Sequence, residues 1–299
     1  MTHPAFLAFD TNGLWVGKFE TGYDGATSTE TAQVNNVDTS KIVIKPNVYS
    51  WRNMTVGNMF KNSYDYQRNL DSHMMKNTEW GSVAYLQHSK YGSQISVRIN
   101  NNSAYITGYA GIVEPTLGYN GETSIEGNRV EGTSLGNDGI YTVNYLNSKS
   151  IVASTTNNYS GIYDMSGGAW EYVMGYTTRA TTVGGSSGIT SLYSNFFTDS
   201  IYSKYWDRYT STSYTNYNNR ILGDAIGEMG PFGSEQDPDG TTRNKSSWHK
   251  DYALFANSSG AWFLHGGRWN YGNTSGIFAF SDASGGMGVN ASYRIVLAP

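Results

Sequence analysis

The 299-residue chain contains no cysteine, and this single absence removes several kinds of chemistry. Without thiols there are no disulfides, no cysteine nucleophile and no cysteine-ligated zinc or iron–sulfur site. The redox compartment of the protein stays undetermined.

Charge and long apolar runs are also scarce. Charged residues make up 15% of the chain and the net charge is −4, whereas ordinary domains carry about 25% charged residues. No basic stripe could neutralise a run of phosphates, so we expect no nucleic-acid partner. No segment approaches the roughly 20 apolar residues of a membrane span, so we expect no membrane insertion.

Proline is rare, with 6 residues, whereas glycine is abundant, with 35, and aromatic residues make up 14%. With polar Asn, Ser and Thr throughout, this composition predicts many turns and short strands rather than long helices. The aromatic content argues against disorder. Because no linker or repeat interrupts the chain, we expect one domain over residues 1–299, with a Tyr/Ser/Asn-rich insertion at about 176–250.

Local patterns predict the main elements. Alternating apolar and polar residues predict strands at 13–21, 41–49 and 94–99. Thr55 is a candidate N-cap for a first helix, and a second helix should begin near Asn77 and end at Gly92. The residues expected to face inward on these helices are Val56, Met59, Phe60, Tyr64, Trp80, Val83, Ala84 and Gln87.

Five motifs occur in an order that is familiar from one family: LWVGKFETG (14–22), HMMKNTEWGSVAYL (73–86), GIYDMSGGAWEYVMG (161–175), FLHGGRWNYG (263–272) and ASYRIVLA (291–298). Together they resemble the formylglycine-generating-enzyme-like branch of the C-type-lectin fold, in particular its non-enzymatic members on phages and bacterial surfaces. The resemblance implies an α+β fold with two helices, short antiparallel strands and abundant ordered loops.

The resemblance also bears on catalysis. Oxidase members of this family bind copper through a cysteine pair, which this chain lacks, so formylglycine generation is excluded. An iron-dependent branch uses a histidine cluster, but the five histidines here are scattered singly. His265 is the best placed for function, and we nevertheless expect it to be structural. No catalytic residue is therefore assigned.

The central motif raises the question of why two glycines precede Trp170 and Glu171. Glycine permits a positive φ and lets a large indole pack closely, so Trp170 should be a core residue, as should Trp80 and Trp269. A carboxylate beside a buried indole needs a partner, for which Arg268 or Arg294 is available. We expect Glu171 to be a structural hydrogen-bond hub.

No cofactor is expected, although a structural calcium ion stays open. Enzymatic relatives can hold calcium near this motif and commonly have Asn where Gly168 stands here, which weakens that interpretation. Residues 235–240 resemble the start of a calcium loop, but Trp248 occupies the position of the bidentate Glu. Hydrolysis by paired carboxylates is a further alternative that sequence spacing cannot reveal.

Two regions have the composition of a recognition surface. In residues 193–219, tyrosines and Trp206 alternate with Ser, Thr and Asn, as in antibody combining sites, so Trp206 and Tyr209 are candidate contacts. An ordered loop whose tyrosines cover the core explains this region equally well.

The second region is the C-terminal segment 267–290. A strand is predicted at 276–280, flanked by small and polar side chains. By resemblance to surface proteins whose equivalent segment forms the binding face, the candidate contacts are Trp269, Asn270, Tyr271, Asn273, Thr274, Asp282, Ser284, Met287 and Asn290. We expect substitutions at Asn270, Tyr271, Asp282 and Asn290 to affect binding rather than stability. The expected core residues are Ile277, Phe278, Phe280, Tyr293 and Ile295.

These features predict a non-catalytic receptor-binding or adhesion protein at a virion or extracellular surface. A phage tail or virion surface protein is the first interpretation. A bacterial pilus or surface adhesin, a glycan-acting enzyme and a purely structural virion component are the alternatives. The N-terminal sequence MTHPAFLAFD lacks the pattern of a signal peptide, so we expect either that the chain begins after processing or that it leaves the cell without secretion, for example by release of a virion on lysis. The expected partners are a host-cell receptor, protein or glycan, and other virion or appendage proteins; self-association stays open.

Overall fold

The computed structural model describes residues 13–92, 97–113, 140–178, 185–210, 224, 235–236, 242–243, 251–254 and 260–298. The sequence segments 94–96 and 211–219, discussed above, lie outside these residues, as does most of the calcium-loop candidate at 235–240.

Two helices of eleven residues form where the sequence predicts them. Helix α1 (Val56–Tyr66) begins after Thr55, whose side chain accepts a hydrogen bond from the backbone N–H of Asn58 at 3.3 Å. Helix α2 is Asn77–Gln87, and the Glu79 carboxylate accepts the backbone N–H of Lys76 at 2.8 Å. The inward residues expected on both helices are buried, except that Tyr64 is partly exposed.

Helix α2 ends five residues before the predicted stop at Gly92. Its last turn is closed by the backbone N–H of His88, which donates to Tyr85 O, and by that of Ser89, which donates to Leu86 O. The hydroxyl of Ser89 also donates to Leu86 O at 2.7 Å. Two single-turn helices occur later, α3 (Ile189–Leu192) and α4 (Ser200–Ser203).

The described strands are short, apart from one. In chain order they are β1 (Trp15–Val16), β2 (Gly22–Tyr23), β3 (Ile42–Val43), β4 (His73–Met74), β5 (Ala110–Val113), β6 (Ile140–Val143), β7 (Trp170–Thr177), β8 (Asp207–Tyr209), β9 (Glu235–Gln236), β10 (Thr242–Arg243), β11 (Trp262–His265), β12 (Phe280–Ala283), β13 (Ala291–Tyr293) and β14 (Ile295–Leu297). The chain is therefore a mixed α+β structure with few helices and several small sheets.

Strand β7 is the centre of the largest sheet. Strand β11 pairs with it antiparallel, and β12 continues the sheet beyond β11. Strands β13 and β8 both pair parallel to β7, at its beginning and its end. The expectation of antiparallel strands is thus wrong for these two pairs, because the chain returns to β7 through long connections rather than hairpins.

The eight residues of β7 are all buried because both faces of the strand are covered. Alternate side chains, Trp170, Tyr172, Met174 and Tyr176, lie in one hydrophobic cluster together with residues of α1. Val173 lies in a second cluster with Trp80 of α2. The core residues expected near the C-terminus, Ile277, Phe278, Phe280, Tyr293 and Ile295, are buried as predicted.

The first predicted strand, 13–21, is mostly not a strand. Only β1 forms a strand, pairing with β14, and after it the N–H groups of Gly17 and Thr21 still donate to Ile295 O and Tyr293 O, while the groups between them bond to the central motif. Glu20 N–H donates to the Asp164 carboxylate at 3.4 Å, and Lys18 O accepts the N–H of Tyr163 at 2.8 Å. Contacts with the central motif thus replace a regular ladder, and from 41–49 only β3 forms a strand.

The strand predicted at 276–280 lies further along the chain, in β12. The N–H of Ala279 donates to Gly276 O at 2.8 Å in a turn, and that of Phe278 donates to the Asp251 carboxylate at 3.1 Å. This segment is buried all round, so its apolar run reflects burial rather than alternation. Residues 97–99, the described part of the strand predicted at 94–99, also form no strand.

Of the three tryptophans expected in the core, Trp80 and Trp170 are buried, but Trp269 is partly exposed. Trp80 donates its indole N–H to Ile277 O at 2.8 Å and stacks on His265 with the ring centroids 4.9 Å apart. Trp269 follows two buried glycines after β11, and packing covers only part of its indole.

The burial of Trp170 gives a stability prediction. Trp170→Ala should lower the free energy of unfolding by ~3–5 kcal/mol, because it removes buried surface and leaves a cavity beside α1. Trp15, which is 71% exposed, provides the control. Trp15→Ala should change stability by less than about 0.5 kcal/mol. Chemical denaturation of both variants measures the difference, and equal unfolding midpoints would contradict the assignment of Trp170 to the core.

Candidate functional site

The two glycines before Trp170 bring the chain close to its neighbours. Gly167 and Gly168 have φ angles of 74° and 69°. A Cβ atom on Gly168 would lie 2.5 Å from Glu20 Oε1, so a larger residue would clash there. This approach lets the N–H of Ala169 donate to Glu20 Oε1 at 2.8 Å. The expectation of positive φ at this glycine pair is confirmed.

Glu171 forms a buried ion pair with Arg294. The guanidinium Nε donates to Glu171 Oε2 at 2.9 Å, and its Nη2 donates to Oε1. The same guanidinium donates to Gly17 O at 2.6 Å and to Tyr163 O at 2.9 Å. Glu171 is thus held by Arg294 and not by Arg268, and Arg294 joins the first, third and fifth sequence motifs.

Two further buried carboxyl groups, Glu20 and Asp164, lie beside this pair. Asp164 has a φ of 62° and accepts Asn100 Nδ2 at 2.8 Å and the N–H of Gly108 at 2.9 Å. The hydroxyl of Ser50 donates to Glu20 Oε2. We call Glu20, Asp164, Glu171 and Arg294 the buried charge cluster.

The charge cluster holds more acids than cations, which affects protonation. Burial raises the pKa of Glu20 well above its usual range, and the charges of Glu171 and Asp164 raise it further. Burial also raises the pKa of Asp164, although the positive charge of Arg294 lowers it in part. Burial raises the pKa of Glu171 to about 7, although the charge of Arg294 opposes this rise. Because the bidentate bonds from Arg294 favour the ionised form of Glu171, Glu20 is the group best suited to retain a proton near neutral pH.

The charge cluster is structural in its geometry. Its carboxyl groups are buried and hydrogen-bonded to the protein, so in this part of the chain they do not line a cleft. Burial also lowers the pKa of His265 to about 3, with both ring nitrogens in contact with protein oxygens of Ala279 and Asn77. Across the described residues, no group of three acidic or histidine side chains is placed to hold a metal ion.

The outer side of Trp170 faces several of the predicted contacts. Its indole packs edge to face with Tyr271 and Tyr252, each at a centroid distance of 5.8 Å. Its backbone N–H donates to Asn290 O at 2.9 Å. The N–H of Trp269 donates to Gly168 O at 3.0 Å. The structure therefore brings Trp269, Tyr271 and Asn290 together around the central motif.

The loop 284–290, between β12 and β13, is attached to the start of α1. The backbone N–H of Asn53 donates to Gly288 O at 3.0 Å, and that of Val56 donates to Gly285 O at 2.9 Å. These donors precede or begin a buried helix, so the loop follows the position of α1 and has little independent freedom.

The opposite side of the loop is attached to β7 and to residue 105. Besides the bond from Trp170 to Asn290, the Tyr172 hydroxyl donates to Gly286 O at 3.4 Å. The Tyr105 hydroxyl donates to Asn290 Oδ1 at 2.5 Å. Substitution of Asn290 should therefore affect stability, contrary to the expectation from sequence.

Arg52 holds the loop from the protein interior. Its guanidinium donates to Val289 O and to Thr29 O, the latter at 2.8 Å, and lies 3.9 Å from the centroid of the Tyr105 ring. Arg52 is buried, so its charge serves this internal network. Three segments, residues 52–56, residue 105 and strand β7, thus hold a seven-residue loop.

The held loop nevertheless exposes apolar side chains. Met287 is 59% and Val289 49% exposed, and Ser284 is also exposed. Asp282, on β12 just before the loop, is partly exposed. The loop and the surface around Trp170 together form the candidate binding face.

Some predicted contacts cannot serve as such. Tyr209 is 2% exposed in β8, and its hydroxyl accepts Asn77 Nδ2 at 2.8 Å. Thr274 is buried, and its hydroxyl donates to Tyr271 O at 2.8 Å. These two assignments are corrected. The polarity of Tyr209 and Thr274 suggested exposure, but their hydroxyl groups form hydrogen bonds inside the protein. Asn273 lies in a short 3-10 helix, Gly272–Thr274, and its side chain is not among those that the structure describes.

Asn270, Tyr271 and Trp206 are each partly exposed. Tyr271 also packs against Tyr252 at 5.7 Å, with the Arg268 guanidinium 4.5 Å from its ring centroid. Substitution of Tyr271 should therefore lower the stability of the protein as well as remove a candidate ligand contact. Trp206 packs against Tyr176 at 5.5 Å, away from Trp170 in the sheet.

The described part of the tyrosine-rich region covers the core. Phe60 of α1 contacts the rings of Tyr193, Phe196 and Tyr205 at 5.6, 4.8 and 6.1 Å. The Tyr205 hydroxyl donates to Asp71 Oδ1 at 2.5 Å. For residues 193–210 the structure favours the interpretation of an ordered loop over that of a recognition surface.

The sequence missed Val289, Arg52 and Tyr105 as parts of the site. Val289 follows the pattern of a core residue, and only the turn around it exposes the side chain. Arg52 and Tyr105 come from distant segments without a motif. The run of glycines at 285, 286 and 288 was the available signal, because such a run predicts a tight loop.

No protein-family model matches this chain, and no curated protein does either. No helix in the described ranges has the length and apolar character to cross a membrane.

The charge cluster gives a pH prediction. If Glu20 is protonated in the folded protein, Glu20→Gln should be tolerated at neutral pH, because a neutral amide of nearly the same size replaces a neutral carboxyl group and its oxygen can still accept the N–H of Ala169. A raised carboxyl pKa means that folding takes up a proton, so this group's contribution falls as pH rises above the unfolded pKa. The stability of Glu20→Gln relative to the parent should therefore increase as the pH rises above the ordinary glutamate pKa of 4.5.

Glu171→Gln is the matched comparison. It removes the counter-charge of buried Arg294 and should cost ~3–5 kcal/mol. Urea unfolding of parent and both variants at several pH values measures these effects. A loss for Glu20→Gln as large as that for Glu171→Gln would show that Glu20 is ionised in the folded state.

Proposed function

We propose that the protein is a non-catalytic receptor-binding or adhesion protein that presents its ligand-binding face on a C-type-lectin-like scaffold. The observation that carries the proposal is the loop 284–290, which exposes Met287 and Val289 while its backbone is held by α1, β7 and Arg52. Exposed apolar side chains grouped on one surface segment are typical of interaction sites.

The scaffold part of the proposal is supported by the way the five motifs converge. Arg294 of the last motif contacts Gly17, Tyr163 and Glu171 of the first and third motifs. Trp80 of the second motif stacks on His265 of the fourth. Motifs that meet in one interior are expected if they specify a common fold rather than separate functions.

A glycan-acting enzyme is less well supported. Such enzymes place two carboxyl groups about 5–10 Å apart in an accessible cleft. The acids that cluster in the described structure, Glu20, Asp164 and Glu171, are buried and bonded to the protein. Binding rather than hydrolysis fits this arrangement.

The proposed location is a virion surface, most specifically a phage tail, with a bacterial pilus or surface adhesin as the alternative. The partners are then a receptor on a host cell and the neighbouring proteins of the particle or appendage. The resemblance of the five motifs to those of phage and bacterial surface proteins is what supports this part of the proposal. A purely structural virion component would use the same scaffold without needing an exposed loop.

Attachment of the purified, fluorescently labelled protein to a panel of bacterial strains tests the function. On a strain that binds the parent, Met287→Glu should reduce attachment at least about tenfold, because a charge is placed at the centre of the proposed contact. The melting temperature should stay within about 2 °C of the parent, since the side chain is exposed.

Leu146→Glu is the control, because Leu146 is 78% exposed and lies outside loop 284–290. It adds the same charge and should leave attachment unchanged. If no strain binds the parent, the adhesion function is wrong. If Met287→Glu attaches like Leu146→Glu, the loop is not the binding face.

A further inference from the structure

Residues 71–79 meet segment 199–209, which contains α4 and β8, at a buried histidine. His73 of β4 is 3% exposed, and its ring centroid lies 5.5 Å from that of Tyr205. In β14 it pairs with the uncharged Val296. This contact involves none of the residues of the proposed binding face.

The hydrogen bonds of His73 require a proton on each ring nitrogen. Nδ1 lies 2.7 Å from the backbone carbonyl oxygen of Asp71, and Nε2 lies 2.8 Å from Glu79 Oε1. A carbonyl oxygen only accepts, and so does an ionised carboxylate. The backbone N–H of Lys76 donates to Glu79 Oε2 at 2.8 Å in the first turn of α2, which favours the ionised carboxylate. The arrangement therefore fits an imidazolium cation beside an ionised Glu79.

His265 shows why the carboxylate matters. Its ring nitrogens also lie near two oxygens, Ala279 O and Asn77 Oδ1. The Asn77 side chain is an amide, which presents a donor nitrogen when it is rotated, so a neutral ring can be satisfied there. Ionised Glu79 offers no such donor to His73.

Charge and burial compete at His73. Burial lowers its pKa, but the charge of Glu79 and the hydrogen bonds to Glu79 and Asp71 outweigh burial, so the pKa lies above the usual 6.5. Burial raises the pKa of Glu79, but the charge of His73 and its hydrogen bond reverse this, so the pKa lies below the usual 4.5. The pair is therefore charged at neutral pH.

Asp71 connects His73 to segment 199–209. Its carbonyl faces His73, while its carboxylate accepts Lys204 Nζ at 2.8 Å and the Tyr205 hydroxyl at 2.5 Å. The titratable and charged groups around His73 are Asp71, Lys76 and Glu79, then Lys204, Tyr205 and Asp207 of segment 199–209, and Tyr64 of α1, which contacts the Tyr205 ring.

Glu79 also lies near a second buried carboxyl group, Asp207 of β8. Asp207 accepts the backbone N–H of Thr78 at 2.7 Å, which bonds β8 to the first turn of α2. Burial raises the pKa of Asp207, Lys76 opposes this rise, and the charge of Glu79 adds to it. Loss of the charge on His73 would leave Glu79 without its ion-pair partner beside Asp207, which disfavours the closed contact.

We infer that His73 is a pH-sensitive switch that holds segment 199–209 on β4 and α2 while its imidazole is charged and releases the segment when the proton is lost. The segment is suited to local opening, because α4 is a single turn and β8 pairs with β7 alone among the described strands. The release does not depend on the proposed function.

The direction of the pH dependence follows from the two pKa values. Because the pKa of His73 is raised in the closed protein, closing takes up a proton. The contribution of His73 is complete below about pH 6.5, falls as the pH rises, and is lost above its pKa in the folded protein. The contribution of Glu79 is present above about pH 4.5 and is lost as the pH falls through its lowered pKa.

Hydrogen exchange of the full chain, followed by mass spectrometry from about pH 6 to about pH 9, tests the switch. After correction for the intrinsic exchange rate, peptides from 199–209 should lose at least about tenfold in protection, since a pKa raised by one pH unit changes the closing equilibrium tenfold. Peptides from β11 are the reference and should stay within about threefold, because burial keeps His265 neutral over this range.

Two substitutions of histidine are matched. His73→Gln keeps a donor towards Glu79 but carries no charge, so 199–209 should exchange at low pH as it does in the parent at high pH. His88→Gln is the control, because His88 is exposed at the end of α2, and it should behave like the parent. In Glu79→Gln the pKa of His73, measured from its imidazole NMR signals, should fall by at least about one pH unit.

The parent alone is decisive where a variant does not fold. Loss of protection in 199–209 at the pH at which the NMR signals of His73 titrate supports the switch. Unchanged protection through that titration, a His73 that does not titrate in this range, or an equal loss in β11 overturns it. A His73 titration that Glu79→Gln leaves unchanged overturns it as well. Attachment to cells is not among these measurements, so the adhesion function stands or falls separately.

Discussion

The structure depends on one buried ion pair, between Glu171 and Arg294. A buried arginine is tolerated only when its donors are satisfied, and here they bind a carboxylate and two backbone carbonyls from separate segments. These bonds hold strand β7, the start of strand β14 and the first motif next to one another.

The position of the proposed binding face follows from this arrangement. Because β13 pairs parallel to the start of β7, the loop that precedes β13 emerges beside Trp170. The start of α1 and Arg52 then hold the loop from its other side. Exposed Met287 and Val289 are therefore positioned by the interior, although neither belongs to it.

The sequence predicted those features that arise from local chemistry or from the motifs. The N-cap at Thr55, the inward residues of α1 and α2, and a partner for Glu171 all follow from such rules. The bounds of the strands could not be predicted from these rules. Residues 18–20 look like strand, but their backbone groups bond to Tyr163 and Asp164, which lie more than a hundred residues away. No local pattern contains that information.

Prediction of the site failed for a related reason. Polarity was taken as a sign of exposure, yet Thr274 and Tyr209 bond inward, while apolar Val289 lies at the surface. In a chain with many short elements, the direction of a side chain is set by turns between distant contacts and not by its own polarity. A loop held by many internal hydrogen bonds would lose little conformational freedom on binding, which is the property that the proposed binding function requires.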